Sequence, residues 1–210
     1  MPSVFANKPV IGIAGGIGSG KSFVASLFGQ LGCLVVNSDQ QVSEAYRDPA
    51  VMETLRHWWG DEAIGADGQV NRKFIASKVF SNVDERRRLE ALIHPLVYAA
   101  RRRVMSAAGA NPKIIAFVWD TPLLFEASLN LQCDVVVFID APVNVRLARV
   151  RQTRNWTEQE LISRENSQWP LDKKREISDY VLRNTADVGY ARGQVKDVLS
   201  RILSKASMRG

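Results

Sequence analysis

Eight consecutive residues, Gly15-Gly16-Ile17-Gly18-Ser19-Gly20-Lys21-Ser22, constrain this chain more than any others, because they satisfy G-x-x-x-x-G-K-[ST] at every required position. Such a loop needs a buried strand before it and a helix after it. Val10-Ile11-Gly12-Ile13-Ala14 is a short apolar run suited to a parallel strand, and Phe23, Val24, Leu27, Phe28 and Leu31 recur behind the loop at helical spacing. The glycines let the backbone curl until successive N–H groups converge, and the helix starting near Gly20 adds the positive end of its dipole. The product is an anion hole shaped for phosphates. Lys21 is placed to reach β- and γ-phosphates as a mobile point charge, and the Ser22 hydroxyl to ligate Mg²⁺.

At 210 residues the chain accommodates one sizeable α/β domain plus an insertion. The start, Met1 to Pro9, has no basic segment followed by an apolar stretch, and no window approaches the length of a bilayer span, so a cytoplasmic protein without membrane attachment is expected. Cys33 and Cys133 each flank an apolar run at no metal-binding or redox spacing, and both are expected to be buried thiols. A net charge of +6 and a pI near 9.5 indicate a polyanionic ligand, which either a nucleotide or a nucleic acid would satisfy.

Gly32 suits the end of the first helix, and Cys33-Leu34-Val35-Val36 reads as a second strand that closes on Asn37-Ser38-Asp39. Residues beyond the carboxyl end of a parallel strand are where open sheets bind ligands. Asn37 and Asp39, two apart in an extended segment, are expected to share one side. A helix from about Gln40 to Tyr46 follows. From about Arg47 to Asn111 no buried strand is evident, and the segment reads as a helical insertion. Its strongest helix carries the stripe Leu89, Leu92, Ile93, Leu96, Val97, Ala100, Val104, which puts the triplets Arg86 to Arg88 and Arg101 to Arg103 opposite, either as a solvated face or as contacts for an anionic acceptor. Pro95 is expected to kink that helix or start a new one, and His94 to be structural.

A third strand, Ile114 to Trp119, ends in Asp120, and a fourth, Val135 to Ile139, ends in Asp140. Either carboxylate could stand opposite Ser22 at a Mg²⁺ ion, although Pro142 after Asp140 favours a strand-to-helix cap there. The next helix reaches about Thr153 and carries Arg146, Arg149 and Arg151, with Arg154 near its end. Thr157-Glu158-Gln159-Glu160 is a capping box, so another helix runs from about Glu158 toward Gln168. Two helices joined by a basic turn make a lid whose arginines could act on a transferring phosphoryl group. The last strand is Asp179 to Arg183, followed by Asn184; Asp187 caps a terminal helix with Val188, Ala191, Val195, Val198, Leu199, Ile202 and Leu203 toward the sheet. Five strands, intervening helices and an insertion after strand two define a doubly wound α/β fold.

As a group these residues resemble the dephospho-coenzyme A kinases, a nucleoside-monophosphate-kinase-like branch of the P-loop proteins. The resemblance spans nearly the whole chain: the GGIGSGKS loop, Asp39, His94-Pro95 with Leu96-Val97, Thr121-Pro122-Leu123-Leu124-Phe125-Glu126, Arg154-Asn155, Gln168, and Asp179 to Asn184. It implies a three-layer P-loop NTPase fold with a five-stranded parallel sheet in the order 2-3-1-4-5. The nucleotide-binding core would comprise residues 1–46 and 112–210, with a lid at about 146–170, and residues 47–111 would form a helical acceptor-binding insertion. It further implies transfer of the ATP γ-phosphoryl group, with Mg²⁺, to the ribose 3′-hydroxyl of dephospho-CoA, the last step of coenzyme A synthesis. In this reading ATP is held by Gly15, Gly16, Ile17, Gly18, Ser19, Gly20, Lys21, Ser22 and Phe23 together with Arg149 and Asn184. Asp39 is the base, Lys21 and Arg154 offset developing charge, and Asp39, His94, Leu123 and Arg154 meet the acceptor. Ser22 and Asp120 hold the metal. Where the family commonly has two acidic residues two apart, this chain has Asn37 and Asp39. The partners are then small molecules rather than nucleic acid or membrane. The alternatives from the residues alone are a kinase for another nucleoside or nucleotide, and an ATP-dependent nucleic-acid-binding module.

Overall fold

The computed structural model describes residues 5, 8–80, 82–185 and 187–208. Its centre is a parallel sheet of five strands, β1 (Val10–Gly15), β2 (Cys33–Asn37), β3 (Ala116–Asp120), β4 (Val135–Asp140) and β5 (Tyr180–Arg183), in the order β2-β3-β1-β4-β5. This is the expected strand order. All six residues of β1 are buried, as a strand flanked by neighbours and covered on both faces must be. Two aspartates just ahead of strands fix the register of the sheet: Asp134 Oδ2 accepts from the Val10 N–H at 2.8 Å, and Asp179 Oδ2 from the Val136 N–H at 2.7 Å.

The chain divides into two compact units, one running through Asn37 and resuming at Met105, the other spanning Ser38–Val104. In the first, α1 (Lys21–Gln30) and α9 (Val188–Ser207) cover the sheet through Val24, Leu27, Phe28, Val195, Leu199 and Ile202, all buried. Asp187 caps α9, accepting from the Tyr190 N–H at 2.9 Å. Val188, expected to face the sheet, is 52% exposed, because it is the first helical residue and the buried stripe starts three positions later at Ala191. Between β4 and β5 lie α6 (Val143–Arg154), α7 (Glu158–Glu165) and a short α8 (Leu171–Glu176). Asn155, at φ 54°, ends α6 in the left-handed conformation, and the Thr157–Glu160 capping box starts α7. Cys33 is buried, which pushes its thiol up to about 12, whereas Cys133 is half-buried.

The second unit is helical, with α2 (Ser38–Ala45), α3 (Pro49–Trp59), α4 (Arg72–Phe80) and the start of α5 (Val83–Gly109), plus an isolated antiparallel bridge between Ile64 and Val70. It has its own core of Val51, Leu55, Ala63, Ile75, Leu89, Ile93 and Val97. Of the two expectations for Pro95, the start of a new helix does not occur: α5 continues through it as one helix. Proline removes a single N–H there, while buried Leu89, Ile93 and Val97 anchor the helix on both sides of it. The same four-residue row reaches Arg101, which is 4% exposed rather than solvated, while Arg86 to Arg88, Arg102 and Arg103 are exposed.

Candidate active site

The loop Gly16–Gly20 leaves β1 and enters α1 in the form the motif requires, with Gly20 at φ 86° as the residue before the helix. A side chain at Gly20 would be strained in this conformation and would collide with the Asn184 amide. Asn184 is 3% exposed, and its Nδ2 donates to the Ser19 carbonyl at 2.8 Å. Arg149 from α6 donates from Nη1 to the Gly18 and Ser19 carbonyls at 3.3 and 3.1 Å, and from Nη2 to Asn184 O at 3.3 Å. These two residues together hold the Gly18 and Ser19 carbonyls of the loop. Phe23 packs half-buried against the core, and Ser22 is exposed at the first turn of α1.

Lys21 folds back along the loop, with Nζ donating to Gly15 O and Gly16 O at 3.0 Å each. Burial brings its ammonium down to about 8, opposed by the Asp120 and Glu126 carboxylates and reinforced by Lys174 and Arg154. Four charged residues far apart in sequence therefore lie within electrostatic reach of Lys21. Asp120 ends β3, is 6% exposed, and accepts from Asn37 Nδ2 at 3.2 Å. Asp140, the other strand-ending carboxylate, stands 3.9 Å from Arg175, and its backbone carbonyl accepts from the Asn184 N–H at 2.8 Å. Of the two, Asp120 is the one whose charge acts on Lys21. A carboxylate and a hydroxyl suit Mg²⁺, which takes oxygen ligands, keeps several waters and leans on substrate phosphates. Among the described residues no group of three or more His, Cys, Asp or Glu side chains converges.

Arg154 is the exposed last residue of α6 and lies over the Trp156 ring, 4.8 Å from its centroid. Leu123 follows β3 and is 46% exposed. Asp39 and His94 belong to the helical unit, and both are exposed. Asp39 is the second residue of α2, which begins directly after Asn37. The alternation expected to put Asn37 and Asp39 on one side therefore fails: one ends a strand and the other starts a helix.

The dephospho-CoA kinase family model matches residues 9–189. The chain belongs to this family. A dephospho-CoA kinase of Syntrophotalea carbinolica is 36% identical over 92% of this chain and 92% of its own. A solved protein of Thermus thermophilus superposes with a TM-score of 0.79 at 30% identity, over 92% of this chain and 97% of that one. The dephospho-CoA kinase of Campylobacter jejuni, at 21% identity, shares the fold with a TM-score of 0.62 over 94% of this chain and 98% of that one.

Three features of this family member were not read from its sequence. Lys174, in the basic run of α8, is 2% exposed; its Nζ meets Glu126 Oε1 at 2.7 Å and Gln168 Oε1 at 3.2 Å. Burial pushes the Glu126 carboxyl upward, but the bonds from Lys174 and the Trp169 N–H outweigh it and hold the group below its usual range. Gln168 and Glu126 stand out in the resemblance, whereas the partner that joins them is masked by its charged neighbours. Arg101 Nη2 donates to the hydroxyl of Ser38, next to Asp39, at 3.2 Å; its four-residue spacing from Val97 was the available signal. The third is the ion pair between Arg146 and Glu165 against the loop. No local pattern reports an ion pair that joins two helices.

Proposed function

We propose that this protein transfers the γ-phosphoryl group of ATP to the ribose 3′-hydroxyl of dephospho-CoA, the closing step of coenzyme A synthesis. The observation that carries this reading is the family match over residues 9–189, which takes in both the phosphate loop and the helical unit. In the reaction the 3′-oxygen forms a bond to the γ-phosphorus, the bond to the ADP oxygen breaks, and the hydroxyl proton passes to Asp39. Phosphoryl transfer asks mainly for alignment and for neutralisation of spread negative charge. Backbone N–H groups of the Gly15 to Phe23 loop, apart from those of Ile17 and Ser19 that bond within the protein, cradle the phosphates, with Arg149 and Asn184 keeping the loop in shape. Lys21 and Arg154 offset charge on the transferring group. Ser22 and Asp120 would hold Mg²⁺, which supplies further charge neutralisation on the phosphate oxygens when bound. The Asn37 amide orients the Asp120 carboxylate for that task. His94 and Leu123 contribute to acceptor binding, residues 47–111 supply the acceptor domain, and 146–170 form the lid. No helix among the described residues is long and apolar enough to cross a membrane; the cytoplasmic location is part of the proposal.

The test is to incubate the protein with MgATP and candidate acceptors and to measure ADP. Dephospho-CoA should give ADP and CoA in equal amounts, and Asp39→Asn should lower kcat by about 10²- to 10⁴-fold with ATP affinity little changed. ADP release stimulated by nucleic acid or by an unrelated nucleoside, and not by dephospho-CoA, would overturn the substrate assignment. An Asp39→Asn variant keeping more than about a tenth of kcat, outside the loss expected for a missing base, would remove Asp39 from that role.

A further inference from the structure

Ile17, at the crest of the phosphate loop, has both of its backbone polar groups taken by one pair of charged side chains. Its N–H donates to Glu165 Oε1 at 3.3 Å, and its carbonyl accepts from Arg146 Nη1 at 3.4 Å. Glu165 Oε1 and Arg146 Nη1 are themselves joined in a short ion pair, and Arg146 Nε donates to the Ala141 carbonyl at 3.2 Å. The two side chains come from different helices, α6 and α7, and expose 7% and 20% of their area. The pair also comes close to Gly16: a Cβ there would lie 3.0 Å from Arg146 Nη1 and 3.2 Å from Glu165 Oε1, so the two side chains would have to give way by a few tenths of an ångström.

An ion pair this enclosed is poorly screened, so each charge acts at close to full strength on an anion in the adjoining loop. Together the two nearly cancel. A neutral clamp fixes the shape of the loop without adding to its affinity for phosphates, and shape alone would be served as well by an uncharged pair. The use of opposite charges makes affinity adjustable by sign. Resting on the reading of this loop as the ATP site, we propose that Arg146 and Glu165 form a charge-balanced clamp that sets how tightly the loop holds phosphoanions, Arg146 raising the affinity and Glu165 lowering it. The benefit falls on turnover. Binding that is equally strong before and after transfer does nothing for the chemical step and retards release of ADP. Glu165 offsets the part of Arg146's attraction that would hold product.

The experiment is calorimetric titration of ADP, and separately of pyrophosphate, into the full-length protein and three variants. Glu165→Gln keeps an oxygen acceptor for the Ile17 N–H while leaving Arg146 uncompensated, so both ligands should bind more tightly, by roughly tenfold, the influence of one unit charge about 10 Å away at an effective dielectric of about 20. Arg146→Gln should weaken both by a similar factor. The double variant Arg146→Gln/Glu165→Gln should return close to wild type. Opposite signs in the single variants with recovery in the double support the clamp. A loss of affinity in Glu165→Gln, or no change, overturns it, since a pair that only shapes the loop would lose affinity whichever partner is removed. Should Arg146→Gln not fold, the sign of the Glu165→Gln effect decides alone. A wild-type protein that binds neither ligand would overturn the nucleotide reading of the loop, a result recognisable before any variant is made.

Discussion

Lys21 carries a charge that the folded protein resists. Two loop carbonyls at 3.0 Å satisfy part of its ammonium, but burial dominates and brings it down to about 8 from 10.5. Its native form thus binds fewer protons than the unfolded chain between those two values, and its contribution to stability rises with pH across that window instead of falling. A triphosphate brought against the same nitrogen favours the charged form, as any adjacent anion does. Nucleotide binding above pH 8 should therefore take up a proton. At pH 8.5 roughly three-quarters of Lys21 is neutral beforehand, given a value of about 8. Titrating ATP calorimetrically in two buffers of different ionisation enthalpy should reveal uptake of about 0.7 proton at pH 8.5, from that same population, and close to none at pH 6.5. Lys21→Met should abolish the difference between buffers. Proton uptake that persists in this variant would place the titrating group elsewhere.

The turn between α6 and α7 is built from short-range signals. Asn155 reverses the chain with a positive φ, and Thr157 and Glu160 cap each other at the start of the next helix. Between them stands Trp156, with the guanidinium of Arg154 4.8 Å and that of Arg164 4.2 Å from its ring centroid. A cation over this half-buried indole at the protein surface contributes about 0.5–1 kcal/mol, enough to keep a terminal arginine from sampling its full range of rotamers. Trp156 is in this sense a positioning residue for Arg154. Trp156→Leu should lower kcat by roughly fivefold, the equivalent of one such contact, with the KM for ATP nearly unchanged, and Trp156→Phe should recover part of the loss. Arg154→Ala should itself lower kcat more than it affects ATP binding, and adding Trp156→Leu to it should cost nothing further. Equal losses from Trp156→Leu with and without Arg154 would show that the ring supports the turn alone. Elements of this kind were legible in advance because a cap and its helix lie within a few residues. The long α5 was legible as a stripe, but its continuation past Pro95 and the burial of Arg101 were not, because there packing and register overrode residue type.

The strand order followed from the resemblance, and the structure bears it out, since a phosphate loop constrains the strand before it, the helix after it and the sheet around both. What the sequence did not disclose was pairing between distant segments: Lys174 with Glu126, Arg146 with Glu165, and Asn37 with Asp120. It also left open whether the helical segment has a core of its own. The answer lies in two separate sets of buried side chains, Val24, Phe28, Val118, Val137 and Ile139 on the sheet, and Leu55, Ile75, Leu89, Ile93 and Val97 in Ser38–Val104. Leu55 in α3 is fully buried within the second set, so Leu55→Ala should cost about 2–5 kcal/mol by lost burial and a residual cavity. Because the cores are distinct, that loss should fall first on the helical unit as a local opening and only secondarily on the whole molecule. Native-state hydrogen exchange of Leu55→Ala should therefore show reduced protection in α3 and in α5 around Ile93, with β1 and β4 amides close to wild type. An equal drop in all four elements would mean that the sheet and the helical unit unfold as one cooperative body.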